Sequence, residues 1–392
     1  MKMARKLLCI SLVMIFAIVL FAGCNKNESP ASPASSPESS PAQSPPAQSP
    51  APAPAAPPTA PAGAETPESA QPAGGWDFSN AKKVNLTYAI YLADVDPTTV
   101  DTCRYLDMVR DYTEGTVDYT CYANQTLCNG AEELDAVSSG LADIAFFPVA
   151  YGSGQLPVSY MLEYPGYAFN SDMAASYAFN DWFKQLNLQE LSDYKLLYAI
   201  GQGNGCFMTT FDVNNFSDFR GKQIRCGAAL TTVMEAYGIN PTVMVFSEVY
   251  EALRTGVVQG FYGMLHAGNS AKLYEVTNCV TKDPYYIGSY IMIMNKNVWN
   301  SLTSDQQAAI EAATADAYDE FLAAGRAADA AIAVDVFKEN NLKIVELSDA
   351  DLAVMGAANA PIQEEYANSV PGGPEALALY RELAAKYNAL YS

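Results

Sequence analysis

The chain has 392 residues, 50% of them hydrophobic, with 43 Asp and Glu against 22 Lys and Arg and a formal charge of −21. So acidic a chain, without a basic cluster, repels phosphate backbones, which excludes nucleic-acid binding. A single histidine, His266, and cysteines without a CxxC pair leave no metal site or cofactor site and no His-based catalytic set in view.

Met1–Lys6 carries three basic residues and no acid; an apolar run from Leu7 to Phe21 follows, closed by Ala22, Gly23 and Cys24. That order predicts a secretory signal over 1–23 with a cysteine directly behind two small residues. It resembles the lipobox of bacterial lipoproteins, in which the cysteine is diacylated and becomes the new N-terminus. Phe21 stands where that motif usually has Leu, with Leu20 one place earlier. The alternative, a membrane span burying Cys24, is poorly served by a run of only about fifteen residues. An extracytoplasmic protein, lipid-anchored through Cys24, is expected, and loss of Lys2, Arg5 and Lys6 takes its charge from −21 to −24.

Residues 24–80 are nearly all Pro, Ala, Ser, Glu, Gln and Thr, as in Ser44-Pro45-Pro46-Ala47. This composition builds no core and favours extended polyproline-like geometry. It reads as a disordered, semi-rigid tether reaching up to ~3 Å per residue. Such a reach suits a folded part that must clear a thick wall, so a Gram-positive-type cell surface is expected in preference to a periplasm.

The remaining part, roughly 315 residues, is long enough for two lobes. Val84–Ile90 alternates as a first strand, Pro97 opens a helix over Thr98–Tyr112, and Val117–Tyr122 is a second strand. A short helix over Asn129–Ser139 leads to a strand at Ile144–Val149. This strand–helix rhythm predicts a parallel sheet covered by helices. Asp172–Gln185 is a helix and Tyr194–Ile200 a strand. Gly201-Gln202-Gly203-Asn204-Gly205 then lacks dinucleotide-fingerprint spacing and is expected as a flexible turn. Strands follow at Gln223–Cys226, Thr242–Phe246, Val257–Phe261 and Tyr290–Met294, with helices at Thr231–Tyr237 and Glu248–Arg254, the latter capped by Ser247. Asp305–Phe337 reads as one long Ala-rich helix kinked at Gly325, and Pro374–Tyr387 as a last helix. The whole predicts a two-lobed, doubly wound α/β protein braced by C-terminal helices.

With Cys9 removed and Cys24 acylated, Cys103, Cys121, Cys128, Cys206, Cys226 and Cys279 remain. An even number in an exported chain permits up to three disulfides without fixing their pairing; a bridge between Cys206 and Cys226 is one expectation.

No nucleophile elbow or Walker loop stands in usable context, and an enzyme is not expected. The informative stretch is Phe219-Arg220-Gly221-Lys222-Gln223-Ile224-Arg225, then Tyr237-Gly238-Ile239-Asn240-Pro241, then Phe246-Ser247-Glu248-Val249-Tyr250 through Gly256-Val257-Val258-Gln259-Gly260. Ser139-Gly140-Leu141-Ala142-Asp143, Tyr274-Glu275-Val276-Thr277 and Asn295-Lys296-Asn297-Val298-Trp299 support it. In this order they resemble the solute-binding proteins of tripartite ATP-independent periplasmic (TRAP) transporters, DctP-like, over about Lys83–Tyr387. The resemblance implies an α/β, two-lobed periplasmic-binding-protein clamshell with a long C-terminal connecting helix, which hands its solute to membrane permease subunits. Lobe I is then 81–206, completed by about 288–325 and the C-terminal helix at 374–390. Lobe II is 207–287, completed by about 326–370.

In that family the strand position of Arg225 holds the carboxylate-binding arginine, whose planar guanidinium makes two parallel charge-assisted bonds. A surface or interlobe salt bridge is the plainer role for such a residue. Alternation places Arg225 opposite Ile224 and Cys226. Two departures narrow the solute. Where many members carry a second arginine, this chain has Gly205-Cys206-Phe207-Met208; where Asp-Gly-Gln-Glu-Asn is common, it has Gln259-Gly260-Phe261-Tyr262-Gly263, so Gly263 replaces an asparagine. A monocarboxylate with an apolar or aromatic body fits, lined by Phe207, Phe261, Tyr262 and Tyr286. Tyr88, Tyr91 and Asp94 follow the first strand and Tyr151 follows another, where doubly wound sheets bind ligands; each could equally be packing. His266 is a further candidate, whereas Glu248 and Tyr250 read as local helix residues. A ligand-sensing lipoprotein of the same fold, feeding a membrane receptor, and a dicarboxylate-binding member are the alternative readings.

Overall fold

The structure is a computed structural model that describes residues 75–325 and 327–391. The expected signal 1–23, Cys24 and the tether as far as residue 74 lie outside the described residues. Strands β1 (Val84–Ala89), β2 (Val117–Tyr122) and β3 (Ile144–Pro148) pair in parallel around β1, joined by helices at Pro97–Tyr112 and Glu133–Ser139. The first helix starts where Pro97 suits it, with the Asp96 carboxylate accepting from the Thr98 N–H. β3 is buried throughout because helices cover both its faces: Ile144 and Phe146 enter one hydrophobic cluster, Ala145 and Phe147 another.

Two long antiparallel strands, β4 (Tyr194–Thr209) and β8 (Cys279–Asn295), run through both halves of the sheet. Between them in sequence lie β5 (Gln223–Cys226), β6 (Asn240–Val243) and β7 (Gly260–Met264); β9 (Lys343–Val345) follows. The strand order is β2-β1-β3-β8-β4-β7-β5-β6, with β9 added to β8. The upstream part of β4 and the downstream part of β8 therefore belong with β1–β3, and their other ends with β5–β7 and β9. Four clusters result, one on each face of each half. The halves are the two lobes of an α/β clamshell.

The lobes meet where β4 and β8 lose register: Asn204 faces Ile287, but the next residue, Gly205, faces Asp283. Here the expectation of a turn at 201–205 is corrected. The segment is strand, and its glycines serve a bend and close packing rather than a reversal. A Cβ on Gly201 would stand 2.7 Å from that of Ala175, and Gly203 has φ +67°.

The expected helix 305–337 is three pieces. A helix over Ser304–Ala317 packs on the first lobe and one over Ala327–Glu339 on the second, with a π-turn at Tyr318–Leu322 between them. The Tyr318 hydroxyl donates to the carbonyls of Ser176 (2.7 Å) and Ala199 (2.9 Å), tying the break to the first lobe. An unexpected helix, Asp349–Ser369, spans from the second lobe to the first, followed by Gly373–Leu390 on the first lobe. Its buried stripe is Met355, Asn359, Gln363 and Ala367. Two of these four are amides: Asn359 Oδ1 accepts from the Tyr237 hydroxyl (2.6 Å) and Gln363 Nε2 donates to the Tyr164 carbonyl (3.4 Å), so hydrophobic periodicity does not betray the helix.

Ser247 does not cap a helix: Phe246–Glu248 is a 3-10 turn leading into the helix Val249–Arg254, which has no side-chain cap. All six described cysteines are free. The expected Cys206–Cys226 bridge is excluded by the sheet order, since β7 lies between β4 and β5 and the two thiols enter clusters on opposite faces. Among the described residues no helix is long and apolar enough to cross a membrane.

Candidate ligand-binding cleft

At the crossover sits a cavity of about 150 Å³. The first lobe contributes Tyr91, Asp96, Thr98, Tyr151 and Glu163; the second contributes Arg225, Phe246, Phe261, Gly263 and His266; Gln202, Tyr286 and Ser289 come from the crossing strands. A larger groove of about 790 Å³ is open and lies within the first lobe, away from the crossover.

Arg225 reaches the cavity from β5. Its neighbours Ile224 and Cys226 are buried in the cluster on the opposite face, as alternation expects. Its register partners are Thr242 and Phe261. The Met244 carbonyl accepts from both Nε (3.2 Å) and Nη2 (2.9 Å), which fixes the guanidinium plane. Phe246 and Phe261 flank it with ring centroids 5.8 and 5.6 Å away. Burial lowers its pKa, yet a guanidinium stays charged in proteins. Among the described residues no carboxylate pairs with it, and its remaining donors, the end-on Nη1/Nη2 fork included, are available to a ligand.

Phe261 and Gly263 share a face of β7. A Cβ on Gly263 would lie 2.3 Å from Cζ of the Phe261 ring. The ring that flanks Arg225 thus occupies the space a side chain at 263 would need.

Glu163 closes the cavity opposite these groups, at the end of the 3-10 turn Ser159–Glu163. Its carboxylate accepts from the Ser289 hydroxyl (2.5 Å), the Ser289 N–H (3.3 Å) and the Tyr286 hydroxyl (3.3 Å). Burial outweighs these bonds and raises its pKa to about 7. Sequence reasoning missed Glu163: a short turn carries no period, and no motif passes through it. Phe246, Asp96, Thr98 and Ser289 were likewise unmarked.

Of the sequence candidates, Arg225, Tyr91, Tyr151, Phe261, Tyr262, Gly263, Tyr286 and His266 line the cavity. Tyr91 and Tyr151 meet edge to face at 6.0 Å. Tyr262 presents only its ring, because its hydroxyl donates to the buried Asp283 at 2.5 Å. Tyr88 and Phe207 are not brought there, and this corrects their placement. Tyr88 shares parity with Leu86 and Ile90 beneath the helix Pro97–Tyr112, its hydroxyl on Thr102 at 2.7 Å. Phe207 is buried behind Tyr262 and against Phe219, with both centroids at 4.4 Å. Asp94 is not among the lining residues.

Two α/β lobes closing on a cavity of aromatic rings and a few fixed polar groups define a solute receptor. Residues 88–369 match the family model of DctP, bacterial extracellular solute-binding protein, family 7. The chain belongs to that family, the solute-binding proteins of TRAP transporters. It is similar to the C4-dicarboxylate-binding periplasmic protein DctP of Rhodobacter capsulatus, 27% identical over 255 residues covering 61% of this chain and 73% of that one. It is similar to the open form of a TRAP periplasmic solute-binding protein from Desulfovibrio salexigens, at 26% identity and TM-score 0.69 over 78% of this chain and 97% of that one. A TRAP solute-binding protein from Rhodoferax ferrireducens, solved with copurified benzoate, shares the fold at 19% identity and TM-score 0.72 over 79% of this chain and 100% of that one. The protein is therefore an extracytoplasmic solute-binding protein and not an enzyme.

Proposed function

We propose that the protein captures an organic acid with one carboxylate and an apolar or aromatic body, holds it by Arg225, and delivers it to the membrane subunits of a TRAP transporter. One observation carries this reading: a half-buried guanidinium without a carboxylate partner among the described residues faces a small cavity walled by rings. The volume of about 150 Å³ supports a single ring; an apolar cavity of about this size admits benzene. Among the described lining residues Arg225 is the one Lys or Arg, so a second carboxylate would find no second Lys or Arg to pair with there. The copurified benzoate of the Rhodoferax protein agrees with this choice; the dicarboxylate named for the Rhodobacter protein is the competing outcome.

A thermal-shift series decides between them. Benzoate and related aromatic monocarboxylates should raise the melting temperature; stabilisation by succinate or malate with none by monocarboxylates would overturn the assignment. The lipid anchor at Cys24, the reach of residues 24–80 and the Gram-positive-type surface belong to the same reading, supported by the signal and tether composition. Cys24→Ala should move the protein from the membrane fraction to the medium; unchanged membrane retention would refute the anchor. The lobe limits 81–206 and 207–287 are likewise proposed, supported by the register break next to residue 206.

A further inference from the structure

The first lobe holds a pair of cysteines that the binding function does not use. The helix Pro97–Tyr112 lies across β1 and β2, and two hydroxyl contacts help set its position. The Tyr119 hydroxyl donates to the Cys103 carbonyl at 3.2 Å. Tyr88 sits beside Cys121 in the register of β1 and β2, and its hydroxyl donates to Thr102, next to Cys103, at 2.7 Å. Cys121 stands two positions beyond Tyr119, on the same face of β2. Tyr88 and Tyr119, its neighbours on that face, both touch residues 102–103, which places its thiol beside Cys103. Both cysteines are half-buried at the margin of one hydrophobic cluster.

The other four cysteines are held apart. Cys226 and Cys279 share a face of the second lobe with β7 and β4 between their strands, Cys206 is on the opposite face, and Cys128 packs on a different cluster of the first lobe.

We propose that Cys103 and Cys121 form a disulfide in the exported protein, pinning the helix Pro97–Tyr112 to the edge strand β2. The oxidant is an extracytoplasmic disulfide. The Cys103 thiolate attacks one of its sulfurs, releasing the other half of the oxidant as a thiolate and giving a mixed disulfide; the Cys121 thiolate then attacks the Cys103 sulfur and expels the remaining half as a second thiolate. Two protein thiols are oxidised, one disulfide is reduced, and the two protons pass to the departing thiolates. A hydrogen bond from Cys121 lowers the pKa of the Cys103 thiol, which suits it to the first step. The bond would brace the back of the cleft, since the same helix brings Asp96 and Thr98 to the cavity.

The test is peptide mapping by mass spectrometry of the full chain, exported or incubated with oxidised glutathione, and alkylated without reductant. A Cys103–Cys121 linked peptide is expected, with Cys128, Cys206, Cys226 and Cys279 alkylated as thiols. Reduction should lower the melting temperature of this protein by roughly 5–10 °C and leave a Cys103→Ser/Cys121→Ser variant unmoved. Separate alkylation of Cys103 and Cys121 after oxidation, or a bridge to another cysteine, would overturn the proposal. Mapping needs no variant, so a variant that fails to fold leaves the test intact.

Discussion

Arg225→Ala is the perturbation that tests the cleft most directly. The guanidinium is already oriented by the Met244 carbonyl and framed by Phe246 and Phe261. A carboxylate meeting its free fork gains two charge-assisted bonds, each worth about 1.5–3 kcal/mol. Removing both should cost about 3–5 kcal/mol, a weakening of roughly 100- to several thousand-fold. A micromolar ligand would bind with a dissociation constant of about 0.1 mM to several millimolar. Arg225→Lys keeps the charge and loses the planar fork, so it should fall between the two, at about tenfold or more. Isothermal titration with benzoate, alongside a melting curve for each variant, separates lost contact from lost fold. Losing the bonds to Met244 should itself cost only about 1–2 kcal/mol of stability. Affinity of a folded Arg225→Ala within threefold of the unaltered protein would refute the clamp.

Three further outcomes are expected. Gly263→Asn must displace the Phe261 ring, so affinity for aromatic acids should fall at least about tenfold and stability by about 1–3 kcal/mol; adding Phe261→Gln should restore the melting temperature, and no restoration would contradict the steric account. Glu163 keeps its proton in the folded state up to about pH 7, against 4.5 ordinarily, so the folded state binds the extra proton across that window. Stability should therefore fall as pH rises through it, by about 3 kcal/mol in all, with Asp283, raised by burial to about 6, adding in the same direction. Melting curves from pH 5 to pH 8 should show this fall, reduced in Glu163→Gln; an identical slope in the variant would refute it. Tyr88→Phe removes one hydroxyl bond to Thr102 and should cost about 1 kcal/mol of stability without changing ligand affinity. A large affinity loss in calorimetry would return Tyr88 to the site.

Much of the first lobe is legible because its strands alternate or are buried on both faces and its helices have recognisable starts, as at Pro97. The long strands β4 and β8 are not legible as such. Glycines interrupt β4 at its bend, and Pro284 stands in β8 where the register breaks. Both features read as chain reversals when the neighbouring strand is unknown. The helix Asp349–Ser369 hides for another reason: its buried stripe contains amides, and Pro361 stands inside it. For the cleft, strand parity carries most of the information. It places Arg225 correctly, opposite Ile224 and Cys226, and the parity of Leu86, Tyr88 and Ile90 would have withdrawn Tyr88 from the site. Glu163 had no such guide, since its position depends on a turn docking against β8.

Parity also joins two departures that look separate in the sequence. Phe261 stands where the resembling proteins commonly have Gln, and Gly263 where they have Asn. Because residues two apart on a strand share a face, the ring at 261 and a side chain at 263 compete for one volume, and the 2.3 Å approach shows that the ring must shift to admit a side chain at 263. The exchange removes an amide donor beside Arg225 and installs an apolar wall in its place. On the proposed reading, a ligand would then lose a polar contact to its carboxylate and gain ring area beside it, which would favour a body that is flat and apolar over one that carries a second charge. On the proposed reading, the clamp and its selectivity would follow from adjacent strands: β5 would supply the charge, and β7 would decide what may lie next to it.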